Sequence, residues 1–389
     1  MDAELGSEIG RRRARLAEQM ARQGIDAVIV ASEGNFGYLS GYHTSGWANR
    51  ARPICLVVPP EGPGTAVLSE GEAARVEEDA VDVCARPYRD PEVARVNGAV
   101  ELEFMSAAAR ELLGAVTALG AGRVGLELSS HFLPGLPPAT LAALEAKLGR
   151  DRVVDASPML WRLRRRKSRF EAERLREAAR ILALAFERFE QRAEPGATEQ
   201  ELQRLFASEA ASAGADRVAY TAVLADTATG SLGGASRRRW EPGKLLLFDA
   251  GIVVEGYWAD FGRVYAARSA TEPQQAAYRA LVEALASGRE AARPGIAARE
   301  LAAALSDRSA ADERPYGRVG HGVGLDLTEP PSLHADDPTP LDEGMTICIE
   351  PNGYTEETGY LAAEEEIVLT DTGSELLSPP FPSELKVLG

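Results

Sequence analysis

The chain has 389 residues, of which 45% are hydrophobic and 26% charged, a composition typical of a soluble globular protein and a length too great for one hydrophobic core. Its 43 basic and 59 acidic residues leave a net charge of −16, which argues against nucleic acid as the main partner. Cys55, Cys84 and Cys348 are too scattered for a disulfide framework or a thiolate zinc site, no apolar run is long enough to span a bilayer, and the charged N-terminus is no secretory signal, so a reducing cytoplasm is the expected setting.

Leu5, Ile9, Leu16 and Met20 mark one face of an opening amphipathic helix that ends at Gly24. IDAVIVAS reads as a buried strand, GNFGYLSGY as a turn-rich connection, and RPICLVVPP and GTAVLS as further strands. A helix-rich stretch is expected over roughly 95–120, followed by a strand at RVGLELSS. This alternation predicts an α/β first domain over residues 1–157. The segment WRLRRRKSRF carries six basic residues between Arg162 and Arg169 and reads as a solvated boundary, offset in part by Glu171 and Glu173. A second domain then covers 158–389. It opens with a long amphipathic helix from Ser168 to about Gln191, and TEQEL offers Thr198 as the N-cap of the next. Beyond Val218 the pattern is β-rich, with another helix pair over roughly 272–306.

The β-rich part holds five dispersed metal-ligand types. LLLFDAGIVVEGYWADFGRVY reads as a hairpin turning near Glu255-Gly256, which carries Asp249 and Asp260. A turn centred between residues 254 and 255 puts the two opposite one another, with Cβ atoms about 5 Å apart. Glu350 and Glu364 flank the turn-rich loop NGYTEETGY, and Gly320, Gly322 and Gly324 around His321 permit close backbone approach. Taken singly, Asp249 reads as a turn former, His321 as a hydrogen-bonded loop histidine, and Glu364, Glu365 and Glu366 as an acidic edge strand. GHGVG lacks the lysine and the spacing of a phosphate loop. As an ordered set they point elsewhere. Carboxylates inside β-prone apolar runs are costly unless cations compensate them, and four carboxylates with one imidazole suit hard or borderline divalent metals. Two such ions about 3.5–4 Å apart can hold a hydroxide and polarise a carbonyl.

In order and spacing, these segments resemble the pita-bread metallohydrolases: prolidase, aminopeptidase P, methionine aminopeptidase and the metal-free creatinase. The resemblance covers nearly the whole chain. It implies a creatinase-type α/β N-terminal domain followed by an α+β catalytic domain with a curved antiparallel sheet. It also implies a pair of divalent ions, manganese first, with cobalt, zinc and iron open. Asp249 would bind one ion, Asp260 and Glu364 would bridge both, and His321 and Glu350 would bind the second; Glu365 and Glu366 are alternatives for the last bridge. Glu350 would also take the proton from the attacking water. A homodimer and a small peptide or amide substrate in the Xaa-Pro peptidase branch follow from the same likeness.

Three departures bear on the substrate. The family's second histidine, seven residues past the metal histidine, is Thr328 here; its upstream histidine falls in the histidine-free stretch 229–236; and the arginine two residues before the last metal glutamate is Ala362. Losing them weakens stabilisation of a developing oxyanion and the grip on a substrate carboxylate, so weak activity on simple Xaa-Pro dipeptides is expected. His334, Tyr220, Tyr354 and the arginines at 237–239 are candidate replacements beside Thr328 itself, and His43 and Trp47 are weaker candidates from the first domain. The alternatives are a repurposed hydrolase or lyase acting on a small non-peptide metabolite, and a non-enzymatic binding protein. The second is disfavoured, because idle buried carboxylates repel one another.

Overall fold

The computed structural model describes all residues except 1–2, 90–91, 97–98, 104, 130–135, 230–232 and 307–316, and it divides into two compact units, Met1–Arg164 and Arg165–Gly389. The first unit runs α1 (Ala3–Gln23), β1 (Ala27–Val30), α2 (Glu33–Ser40), β2 (Cys55–Val58), β3 (Gly64–Ser69), α3 (Glu70–Asp79) and β4 (Val83–Tyr88). It continues with β5 (Glu92–Val96), β6 (Ala99–Glu103), α4 (Met105–Ala118), β7 (Val124–Leu126), α5 (Pro138–Leu148), β8 (Val153–Asp155) and α6 (Ser157–Arg164). Six strands form one mixed sheet in the order β4-β3-β2-β1-β7-β8.

Three expectations need correction here. GNFGYLS is the helix α2 rather than a connection: the Ser32 side chain accepts from Asn35 N, and Gly41 closes the helix at φ 69°. These caps and the burial of Phe36, Tyr38 and Leu39 outweigh two glycines. The stretch from 95 is not helical at first. Residues 92–96 and 99–103 pair as the antiparallel strands β5 and β6, in keeping with their valines, and the described helix is Met105–Ala118. The basic run is also not wholly solvated. Arg164 is buried, donates to Asn35 Oδ1 at 3.0 Å and stacks on Trp161. Lys167 lies 3.0 Å from Glu329, the two side chains being 2% and 1% exposed.

In the second unit α7 (Arg169–Glu190) and α8 (Glu199–Ala213) both begin with a capping box, Ser168 with Glu171 and Thr198 with Glu201. They precede β9 (Arg217–Leu224), β10 (Leu245–Val254) and β11 (Tyr257–Ala267). A second set follows: α9 (Glu272–Ala291), α10 (Ala298–Ser306), β12 (Gly320–Gly322), β13 (Glu329–Ser332), β14 (Thr346–Ile349), β15 (Asn352–Thr355), β16 (Gly359–Ala362), β17 (Glu365–Leu369), β18 (Ser374–Leu376) and β19 (Lys386–Leu388). One sheet has the order β19-β11-β10-β9 and the other β13-β12-β14-β17-β18, with β15 and β16 a separate hairpin. Each half is thus a helix pair followed by three strands in antiparallel succession, β9-β10-β11 and β12-β14-β17. Phe186, Phe189, Phe206 and Phe248 fill the core behind the first sheet; Leu285, Leu301, Leu305, Ile347 and Ile367 fill the core behind the second.

Candidate metal centre

Strand register places the acidic side chains. Glu255 at φ 49° and Gly256 at φ 83° occupy the two central positions of the β10–β11 turn, the positive-φ pair that a tight hairpin requires. The turn therefore centres one residue later than expected, and Asp249 faces Gly262 while Asp260 faces Gly251. The two aspartates are diagonal neighbours rather than a direct pair. The offset is two residues, so both still project from one face, and the glycines opposite leave that face open. Tyr220 faces Gly251 from β9 and belongs to the same face.

The second half repeats the device with less regular strands. Ile349 pairs with Glu365 and Asn352 with Ala362, and the common register sets Glu350 opposite Glu364 just beyond the β14–β17 ladder. Cys348 pairs with His321 on one side and Glu366 on the other, so strand parity puts Cys348, Glu350, Glu364, Glu366 and His321 on one face. Glycine is required beside the histidine: a Cβ at Gly320 would collide with the Cys348 carbonyl oxygen, and one at Gly322 would lie 2.7 Å from the Pro330 carbonyl oxygen. Across the halves, Asp260 N donates to Glu366 Oε1 at 2.7 Å and Trp258 N donates to the Gly324 carbonyl at 2.8 Å.

The acidic residues and the histidine meet. Asp260, His321, Cys348 and Glu364 each offer a donor atom within 4.8 Å of the others. Asp249, Glu350 and Glu364 line a cavity of about 220 Å³ together with Tyr220 and Arg318. Tyr220 and Glu364 both act on the Asp249 carboxyl, pulling against the effect of its burial. His321 donates from Nδ1 to the Gly322 carbonyl at 2.9 Å, leaving the Nε2 lone pair 3.6 Å from Asp260 Oδ2. Burial and the Arg318 charge lower His321 to about 4, so the imidazole is neutral at pH 7, the form that ligates metals.

The carboxyls are strained electrostatically. Burial raises Asp249 to about 6. Burial lifts Asp260 and Glu364 well above the usual range, and their acidic neighbours add to it. Burial lifts Glu350 to about 7 against the lowering pull of Arg318. Glu366 rises to about 8 by burial, opposed by the Asp260 N–H. Asp249 Oδ1, Asp260 Oδ1, Glu364 Oε1 and Glu366 Oε2 are buried without a hydrogen-bond partner. Unpaired buried carboxylate oxygens converging with a neutral imidazole fit divalent cations, which would supply the missing charge.

Both alternatives for the last ligand make other contacts, Glu366 through one oxygen only. Glu365 pairs with Arg289 and accepts from Phe381 N at 2.6 Å, while Glu366 holds Asp260 N. Of the residues considered for substrate contact, Tyr220 lines the cavity. Thr328 accepts from Arg318 Nη2 at 3.1 Å. His334 is exposed beside Asp336, and Tyr354 packs on the second core. Residues 237–239 are exposed; Gly230, Ser231 and Leu232 of the glycine-rich stretch lie outside the described residues. His43 is in the first unit, its ring lying over Gly37. Two site residues escaped the reading by motif, Cys348 and Arg318. The parity of TICIE would have revealed the cysteine, whereas Arg318 precedes its strand and carries no periodic signal.

A sheet face of buried acids with one neutral histidine is the donor arrangement of a metal-dependent hydrolase. Comparison with known proteins agrees. Residues 173–371 match the profile of metallopeptidase family M24 and residues 12–166 that of the creatinase/prolidase N-terminal domain. The chain belongs to the M24 metallopeptidase family, with the pita-bread catalytic fold behind a creatinase-type N-terminal domain. It is 27% identical over 381 residues to the uncharacterized peptidase YqhT of Bacillus subtilis, covering 96% of this chain and 99% of the relative. It is 28% identical over 371 residues to a Xaa-Pro dipeptidase of Pyrococcus horikoshii, covering 94% and 95%. The solved prolidase of Pyrococcus horikoshii superposes with a TM-score of 0.79 at 26% identity, covering 96% and 99%. Among the described residues no helix is long and apolar enough to cross a membrane.

Proposed function

We propose that the protein is a dinuclear metal-dependent hydrolase of a peptide or amide C–N bond, of Xaa-Pro peptidase type. The observation that supports this reading is that Asp249, Glu350 and Glu364 line one cavity while Glu364 also clusters with Asp260 and His321, and that Asp249, Asp260 and Glu364 each keep a buried oxygen without a partner. Asp249 would hold one ion, His321 and Glu350 the other, and Asp260 and Glu364 both. When bound, the pair supplies Lewis acidity toward the scissile carbonyl and toward water. Manganese is the first candidate, with cobalt, zinc and iron as the others, and the assembly we favour is a homodimer acting in the cytoplasm.

The chain's own groups do the rest. Glu350 would accept a proton from the attacking water and return it to the leaving nitrogen. Tyr220, whose hydroxyl burial keeps protonated, is a hydrogen-bond donor on the cavity wall. The Nδ1 bond to Gly322 fixes the orientation of His321. The test is elemental analysis of protein purified without chelator, expected to give about two divalent ions per chain. Finding none after reconstitution with manganese removes the reading. Glu350→Gln is expected to stay folded and lose turnover by about 10²-fold or more, as measured by steady-state hydrolysis.

A further inference from the structure

Cys348 has no part in the hydrolase reading, yet it stands in the middle of the acidic face. Its neighbours along β14, Ile347 and Ile349, turn the other way into the second core. Across the sheet Cys348 pairs with His321 on β12 and with Glu366 on β17. Direct cross-strand partners have Cβ atoms about 5 Å apart, so the thiol and the imidazole are immediate neighbours. The side chain is fully buried, and Sγ donates only weakly, to the Asp260 carbonyl oxygen at 3.6 Å.

A buried free cysteine is ordinarily a small apolar packing group. Cys55 is one, set in the core of the first unit with Ile29, Val57 and Val67. Cys348 is buried as deeply, but among polar donors. Its sulfur and one atom each of Asp260, His321 and Glu364 all lie within 4.8 Å of one another. Four ligands about 2.0–2.3 Å from a tetrahedral ion stand roughly 3.3–3.8 Å apart, so the set has to draw in by only about an ångström. Two independent observations point to a cation rather than to packing. Asp260 and Glu364 are each 4% exposed, and each keeps an oxygen, Oδ1 and Oε1, with no hydrogen-bond partner. His321 Nδ1 is engaged by the Gly322 carbonyl, which leaves Nε2 directed at the acids.

We propose that Cys348 is a ligand of this metal centre, completing with Asp260, His321 and Glu364 a mixed nitrogen, sulfur and oxygen site that takes a thiophilic divalent ion, zinc or cobalt, in preference to manganese. Soft sulfur ligands select such ions, whereas carboxylates suit manganese. As the ion enters, the S–H bond gives way to a sulfur–metal bond and the proton leaves to solvent. This rests on the hydrolase reading above and names the ion for the His321 side of the same centre, against the manganese that the family likeness puts first.

The experiment loads chelator-treated, full-length protein with zinc or with cobalt, in a Cys84→Ser background that removes the exposed thiol. X-ray absorption of the zinc form is expected to show a sulfur shell at about 2.3 Å beside a nitrogen and oxygen shell at about 2.0–2.2 Å. The cobalt form is expected to show sulfur-to-cobalt charge-transfer absorption in the near ultraviolet. Cys348→Ser should abolish both signals. It should also weaken zinc binding, measured by competition with a chelator, by at least roughly 10- to 100-fold while leaving manganese binding unchanged. A zinc form without a sulfur shell overturns the proposal, and that result needs no variant to fold. A charge-transfer band that survives in Cys348→Ser overturns it too, as does an equal loss of zinc and manganese affinity, the mark of a packing role. Two ions per chain without a sulfur shell would leave the hydrolase reading standing, whereas protein that takes up no ion defeats both.

Discussion

The two halves of the second unit use the same element order to very different degrees of regularity. In the first, β10 and β11 pair over ten successive positions, and both aspartates sit inside that ladder opposite glycines. In the second, the β14–β17 ladder has four pairs, and Glu350 and Glu364 lie just past its end, where the chain leaves for the β15–β16 hairpin. The first half is a long regular ladder whose geometry follows from hairpin rules. The second trades ladder hydrogen bonds for loops, and the segment before β12 brings Arg318 to the cavity.

The largest effects should come from breaking one half at a time. Asp260→Ala and Glu364→Ala are each expected to lower kcat/KM by about 10³-fold or more, because a shared centre fails when either half stops contributing. Steady-state kinetics and metal content would check this, and a large loss from only one of the two would mean that the halves are not equivalent. Next is the buried pair that anchors the loop of the second half. Lys167→Met leaves Glu329 charged and buried, and should cost about 3–5 kcal/mol in denaturant unfolding.

A smaller effect distinguishes the halves by pH. Without metal, Asp249 sits at about 6 in the first half, and Glu350 and Glu366 at about 7 and 8 in the second. A carboxyl raised in the fold contributes stability that is complete below its unfolded value, near pH 4, and lost as pH rises through the folded value. Chelated protein should therefore melt at progressively lower temperature from about pH 4 to about pH 8, losing the first half's contribution earlier. Metal-loaded protein should show the slope flattened or reversed, because the ions bind the deprotonated groups. The smallest effect is a control on equivalence. Thr198→Ala and Thr271→Ala remove the capping boxes of α8 and α9, one in each half, and each should cost about 1 kcal/mol by thermal unfolding.

Legibility tracked regularity. The helices from 169 and 199 were readable because apolar period and capping box agree in a short window. The hairpin of Asp249 and Asp260 was readable to within one residue of its turn, and the period of two kept both acids on one face despite that slip. The helix at GNFGYLS was hidden because its glycines speak for a turn locally, while the burial that stabilises it comes from the rest of the unit. The residues Arg164 and Lys167 look like a solvated run in one dimension, since their partners Asn35 and Glu329 are 129 and 162 residues away. Cys348 was visible in principle from parity alone, and Arg318 was not.

The linear chain by itself determined the two-part organisation and the family, because motif order, spacing and hairpin pattern are local properties written in consecutive residues. Tertiary structure alone decided that Cys348 shares a face with His321 and Glu364 and that Arg318 presents a cation to the cavity. Those outcomes depend on register between strands far apart in sequence and on the paths of loops, whose energies reside in contacts that no single segment contains.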